Sequence, residues 1–123
     1  MRGSGAGKVR VKSAKGRTAQ SVRWLERHLN DPYVHKAKAE GWRSRAAFKL
    51  IELDEKFHFL KGSRAVVDLG VAPGGWSQVV RKLVPKAAVV GIDLLPVDPI
   101  GGVTLFEIDF MDDKAPQLLR DAL

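Results

Sequence analysis

Apolar residues along the chain fall into two regimes, helical spacing in the first half and short continuous runs in the second. In the first half, Val22, Leu25 and Leu29 recur at helical spacing with Trp24 beside them, Ser21 is placed to cap that helix, and Asn30, Asp31 and Pro32 interrupt it. Pro32 suits the first turn of a second helix, PYVHKAKAE, which Gly41 ends. A third helix follows from a Ser44 cap to about Phe57, with Ala47, Leu50, Ile51, Asp54 and Phe57 on one face that is apolar except for the acid. Three largely apolar runs then read as buried parallel strands: AVVDLG at 65–70, AAVVGIDLL at 87–95 and VTLFEIDF at 103–110. Between the first two lies a glycine-rich turn, VAPGG, and a helix WSQVVRKLV. A last helix starts near Asp112 or Asp113 and runs to the end. Helices, then strand, helix, strand, strand, helix predict an α/β fold with right-handed crossovers.

Composition narrows this picture. With 123 residues, 45% hydrophobic and 28% charged, the chain suits one globular core. It has no cysteine, which excludes disulfides and thiolate metal sites. There is no apolar run of eighteen or so residues and no signal-peptide h-region, so a soluble, cytoplasmic protein without membrane contact is expected. His28, His35 and His58 lack metal-ligand spacing, and no metal site is expected.

Charge is the more informative quantity. Of the net +7, residues 1–45 hold twelve Lys or Arg against three acids, while the rest holds nine against eleven. Residues 1–20 are read as a flexible basic arm, since they have almost no large apolar side chains to offset the entropy of ordering. The basic character continues through Lys36, Lys38, Arg43 and Arg45 into sequence with helical pattern, which is the footprint of a polyanion-binding surface. A solvated tail that only aids solubility is the blander reading of such a run. Trp42 suits base stacking or core packing, and Trp24 and Phe48 are assigned to packing.

The segment VVDLGVAPGGW carries the strongest chemistry. Gly70 and Gly74 allow close approach of a ligand to the backbone, and the following helix N-terminus offers free N–H donors. The spacing is not the G-x-G-x-x-G of a dinucleotide fold, and no Gly-Lys-Ser or Gly-Lys-Thr follows as in a P-loop. A turn whose glycines serve only helix-on-sheet packing is the structural alternative. Asp93 at the end of the second run is placed to accept ribose hydroxyls, and Asp109 ends the third run where an adenine would lie. Successive strands each ending in Asp favour an adenosyl-cofactor site.

The stretches RWLERHLNDPYV, GWRSRAAFKL, VVDLGVAPGGWSQ, GIDLLPVDP and FEIDF closely resemble the FtsJ-type (RlmE) ribosomal RNA large-subunit 2′-O-methyltransferases over about residues 21–112. The resemblance implies a Rossmann-like, S-adenosyl-L-methionine-dependent methyltransferase fold, with residues 21–123 its N-terminal part. It implies methylation of a uridine ribose 2′-oxygen in large-subunit ribosomal RNA. Gly74, Trp76, Asp93 and Asp109 would be cofactor contacts, and Lys49 would match the first member of a catalytic Lys-Asp-Lys-Glu tetrad. The other three members lie later in the family's sequence, so a truncated fragment is expected, with strands in the order 3-2-1 and the first strand's edge open to strand exchange between copies. Two functions follow as expectations: RNA 2′-O-methylation by the parent enzyme, or RNA and cofactor binding without catalysis. A small-molecule or protein methyltransferase is disfavoured by the basic strip beside Lys49.

Overall fold

Asp31 and Gly41 delimit the best-defined helix of the first half. The Asp31 carboxylate accepts the Tyr33 main-chain N–H at 2.8 Å, Pro32 opens the helix, and Gly41 closes it in the left-handed region at φ 84°. This is helix α2, Pro32–Glu40, in a computed structural model that describes residues 18–123. Before it lies α1, Ala19–Leu29, capped by the Thr18 hydroxyl, which accepts the Ser21 N–H at 3.0 Å. The helix therefore starts ahead of the expected Ser21 cap. Residues 18–20 of the expected arm belong to its cap and first turn, and the rest of the arm lies outside the described residues. No residue of α1 is buried. Trp24, expected to pack, is 55% exposed and stacks on His28 instead.

Helix α3, Ala46–Phe57, starts two residues beyond Ser44, with Arg45 at the N-cap and no capping hydrogen bond from the Arg45 side chain. Ala47 and Leu50 are buried, but Phe57, expected on the core face, is 61% exposed. The acid on that face serves the chain's path rather than the core. Asp54 accepts the Leu60 N–H at 2.9 Å and fixes the exit from the helix, where His58 takes φ 52°.

The sheet follows the expected order, β1 (Ala65–Leu69), β2 (Ala88–Asp93) and β3 (Val103–Glu107), all parallel, with β2 in the centre. Val89, Val90 and Ile92 are buried, as expected of a central strand covered on both faces. Val89 points into the main core with Ala47, Leu50, Leu60, Val79 and Val80, where α3 packs with α4 (Gly75–Leu83). Trp42 is packed against this cluster, which decides for the core over base stacking. Helix α5, Ala115–Ala122, touches β2 and buries Ala115. It begins later than Asp112 or Asp113, and the Asp112 carboxylate accepts the Lys114 N–H at 2.8 Å ahead of it.

The strands are shorter than their apolar runs, so the three acids stand at different heights. Asp68 is the last but one residue of β1, Asp93 the last of β2, and Asp109 lies two residues past β3. Among the described residues β1 has a strand neighbour on one side only. Along its free side Val66, Val67 and Leu69 join Leu50, Leu53, Phe59 and Trp76 in an apolar groove of about 330 Å³.

Candidate functional site

At the carboxyl ends of the strands, pairing continues past the strand limits. The N–H groups of Gly70 and Val71 both donate to the Ile92 carbonyl, at 2.8 and 3.1 Å, and the Ile108 N–H donates to that of Asp93 at 2.9 Å. Gly70 is then free to turn left-handed at φ 78°, and a Cβ added there would meet nothing within 4 Å. Two clefts meet at this bare backbone. One, of about 230 Å³, is lined by Asp68, Val71, Ala72, Gly75 and Trp76 together with Ser44 and Ala46. The other, of about 320 Å³, is lined by Ile92, Asp93, Leu94, Ile108, Asp109 and Phe110. Leu69 and Gly70 line both, so the clefts adjoin at these residues and together make up a crevice across the strand tips.

The glycines of the turn serve different ends. Gly74, at φ 121°, is buried, and a Cβ there would lie 2.6 Å from Ile100 Cδ1 and 3.2 Å from Arg43 Cδ. Its missing side chain makes room for Ile100 and Arg43, and Gly74 is not among the residues lining either cleft. Gly75 is the glycine on the crevice wall, and a Cβ there would sit 2.6 Å from Ser44 Oγ. The first N–H groups of α4 lack partners within the helix and are available to an anion.

Asp93 lies on the crevice rim. Its Oδ1 accepts the Leu95 N–H and its Oδ2 the Ala72 N–H, both at 2.9 Å. These bonds hold its carboxyl below the ordinary aspartate value, with Leu95 the larger contributor. Asp68 behaves in the opposite way. Burial pushes its carboxyl above the ordinary value and the nearby Asp93 charge adds to this, against a 2.8 Å hydrogen bond from the buried Ser77 hydroxyl. Asp109 is exposed, and its Oδ1 accepts the Met111 N–H at 2.9 Å.

Trp76 also stands on the rim, 42% exposed, and its Nε1–H donates to the Ala46 carbonyl at 2.8 Å. Lys49 lies three residues further along α3, exposed, and is not among the residues lining the crevice. The expected basic strip divides. Lys38 is exposed, and Lys36 sits 3.9 Å from Glu40 and 5.0 Å over the Phe48 ring. Arg45 pairs with Asp31 and lies 5.2 Å over Tyr33. Desolvation raises the Asp31 carboxyl, but the Tyr33 N–H and the Arg45 charge outweigh it and leave the group below its ordinary value. Arg43 is half-buried and donates to main-chain carbonyls.

Sequence reasoning missed Gly91, Ser77 and Gln78. A Cβ at Gly91, in the middle of β2, would lie 2.6 Å from Val71 Cγ2, so its absence lets the residue after Gly70 pack onto the sheet. An isolated glycine inside a strand pattern signals such a close approach. Gln78 accepts the Arg43 N–H at 2.8 Å and donates to the Gly41 carbonyl at 3.2 Å. No local pattern announces a side chain that bridges thirty-odd residues. Among the described residues no cluster of three or more His, Cys, Asp or Glu could hold a metal, and no helix is long and apolar enough to cross a membrane.

Residues 42–123 match the family model described as FtsJ-like methyltransferase. A relative from Novosphingobium aromaticivorans named Ribosomal RNA large subunit methyltransferase E is 74% identical over 114 residues, covering 93% of this chain and 51% of that protein. One of the same name from Rhizorhabdus wittichii is 62% identical over 122 residues, 99% of this chain and 53% of that protein. The chain thus spans about half the length of the curated relatives it matches. A crystal structure of a ribosomal RNA methyltransferase from Plasmodium falciparum aligns with TM-score 0.53 at 40% identity, over 59% of this chain and 41% of the other. The Rossmann-like sheet, the glycine turn and these matches agree: the chain belongs to the FtsJ-like methyltransferase family.

Proposed function

We infer that this chain forms the S-adenosyl-L-methionine-binding part of a cytoplasmic enzyme that methylates a uridine ribose 2′-oxygen in large-subunit ribosomal RNA. The observation that carries the reading is the crevice itself, open over the bare Gly70 backbone and flanked by Asp93 and Asp109. An adenosyl group suits it: Asp93 retains lone pairs for ribose hydroxyls beyond its two N–H partners, and Asp109, on the same cleft, would meet the base. Gly75 and Trp76, at the start of α4, would face the amino-acid end, with helix N–H donors for its carboxylate. When bound, S-adenosylmethionine supplies an electrophilic methyl group on a sulfonium.

The remaining work for the protein is alignment and removal of the hydroxyl proton. Lys49, on the helix whose first residue lines the crevice, is the chain's match to the family tetrad and would act on the acceptor ribose. Lys36, Lys38 and Arg45 would steer and hold RNA phosphates. The relatives' name, Ribosomal RNA large subunit methyltransferase E, supports the substrate class. Titration with S-adenosylmethionine is expected to show one-site binding that Asp93→Ala abolishes; no uptake by the wild-type chain overturns the reading. The second reading, binding of cofactor and RNA without catalysis, is favoured by Lys49 being exposed and absent from the residues that line the crevice. Labelled methyl transfer to large ribosomal subunits by the chain alone separates the two.

A further inference from the structure

The sequence groups Arg43 with cations that meet RNA, but its guanidinium already has partners. Nη1 donates to the Pro73 carbonyl at 3.2 Å and to that of Asp98 at 2.5 Å, and Nη2 donates to that of Pro99 at 2.5 Å. Pro73 belongs to the glycine turn, and Asp98 and Pro99 to the loop after β2. The Arg43 stem passes over Gly74 beside Ile100, where a Cβ would clash. Its main-chain N–H is held by Gln78 of α4, which also donates to the Gly41 carbonyl. One residue therefore joins the α2–α3 connector, the glycine turn and the post-β2 loop. The same connector lends Ser44 to the crevice wall and leads directly into Ala46, the first residue of α3, which also lines it and whose carbonyl takes the Trp76 indole N–H.

The geometry points to Arg43 as a positioning residue: it latches the connector and the 98–100 loop onto the glycine turn, and this latch, rather than a phosphate contact, sets the crevice's affinity for its adenosyl ligand. The inference rests on the crevice being an S-adenosylmethionine site. A planar fork with several donors can serve carbonyls from two segments at once, whereas a lysine ammonium keeps the charge but not the span. A phosphate contact would tolerate that exchange, and a latch does not. Ile100 offers an independent handle, since it closes the latch over Gly74 without carrying any charge.

The chain, its Arg43→Lys variant and its Ile100→Ala variant are titrated separately with S-adenosylmethionine and with a large-subunit ribosomal RNA fragment. Arg43→Lys is expected to weaken S-adenosylmethionine binding by about 10- to 100-fold, the loss of one or two charge-assisted hydrogen bonds, and to change RNA binding less than about twofold. Ile100→Ala should lower ligand affinity in the same direction and leave RNA binding unchanged. If the wild-type chain binds no S-adenosylmethionine, the reading of the crevice fails and the latch role falls with it. If the wild type binds and both variants bind equally well, the latch is overturned while the crevice stands. Loss of RNA binding with ligand affinity intact in Arg43→Lys overturns it in favour of a bidentate RNA contact that needs the guanidinium fork. Should Arg43→Lys not fold, Ile100→Ala decides alone by the same criterion.

Discussion

The Ala72 main-chain N–H donates to Oδ2 of Asp93 at 2.9 Å, so the turn after β1 is tied to the tip of β2 by the same carboxylate that faces the crevice. One side chain both shapes the turn and presents a charge to whatever enters.

Asp93→Ala should therefore lower stability as well as ligand affinity. The expected cost is about 1 kcal/mol, below the range for fully buried charged hydrogen bonds because the carboxylate is partly in water. Its carboxyl lies below the ordinary aspartate value of 3.8 in the folded chain, so its contribution is complete above that value and is lost as pH falls through the lower, folded one. Acid unfolding followed by circular dichroism should show the wild type losing this stability in that window and the variant lacking the corresponding slope.

Asp68→Asn should act in the opposite direction. Asp68 has its carboxyl raised by burial, so the folded chain holds that proton more tightly and loses stability as pH rises from 3.8 through the raised value. The amide keeps an acceptor for the Ser77 hydroxyl and removes the buried charge. A higher melting temperature at pH 7 is expected for the variant; a lower one shows that the charge itself is needed for folding.

The two conspicuous glycines of the turn should separate fold from ligand. Gly74→Ala combines positive φ with a 2.6 Å approach to Ile100 Cδ1 and should cost about 2–4 kcal/mol. Gly70→Ala meets open space, so only the backbone term of about 1 kcal/mol applies. Its methyl group would nevertheless stand in the crevice. Urea denaturation with and without S-adenosylmethionine should find Gly74→Ala weak in both conditions, and Gly70→Ala close to wild type until ligand is added.

Lys49→Ala should leave the fold nearly untouched, because the side chain is exposed on α3. Assayed in the chain itself and in a hybrid joined to the remaining half of the Novosphingobium relative, labelled methyl transfer to ribosomal subunits should fall by about 100-fold or more, with S-adenosylmethionine affinity unchanged. Equal transfer by variant and wild type removes Lys49 from the reaction.

The sequence made the strand order, the turn and the rim acids legible because each rests on local signals: largely apolar runs, paired glycines, an acid closing a run. It also located α2 to the residue, since Asp31, Pro32 and Gly41 are all local punctuation. Arg43 departs from its expected place in the basic strip because a guanidinium's partners are set by folding, here residues 73, 98 and 99. Trp24 and Phe57 are outside rather than inside because helical spacing marks a face but not what covers it. Gly74 and Gly75 look alike in sequence, and only the placement of Ile100, Arg43 and Ser44 tells them apart.

Asp68, Leu69 and Trp76 form a wall common to the ligand crevice and the apolar groove beside β1. Any coupling between the two spaces would run through these three side chains, and linkage would make it reciprocal: whatever a covered groove did to the crevice's grip, a filled crevice would do to the groove's.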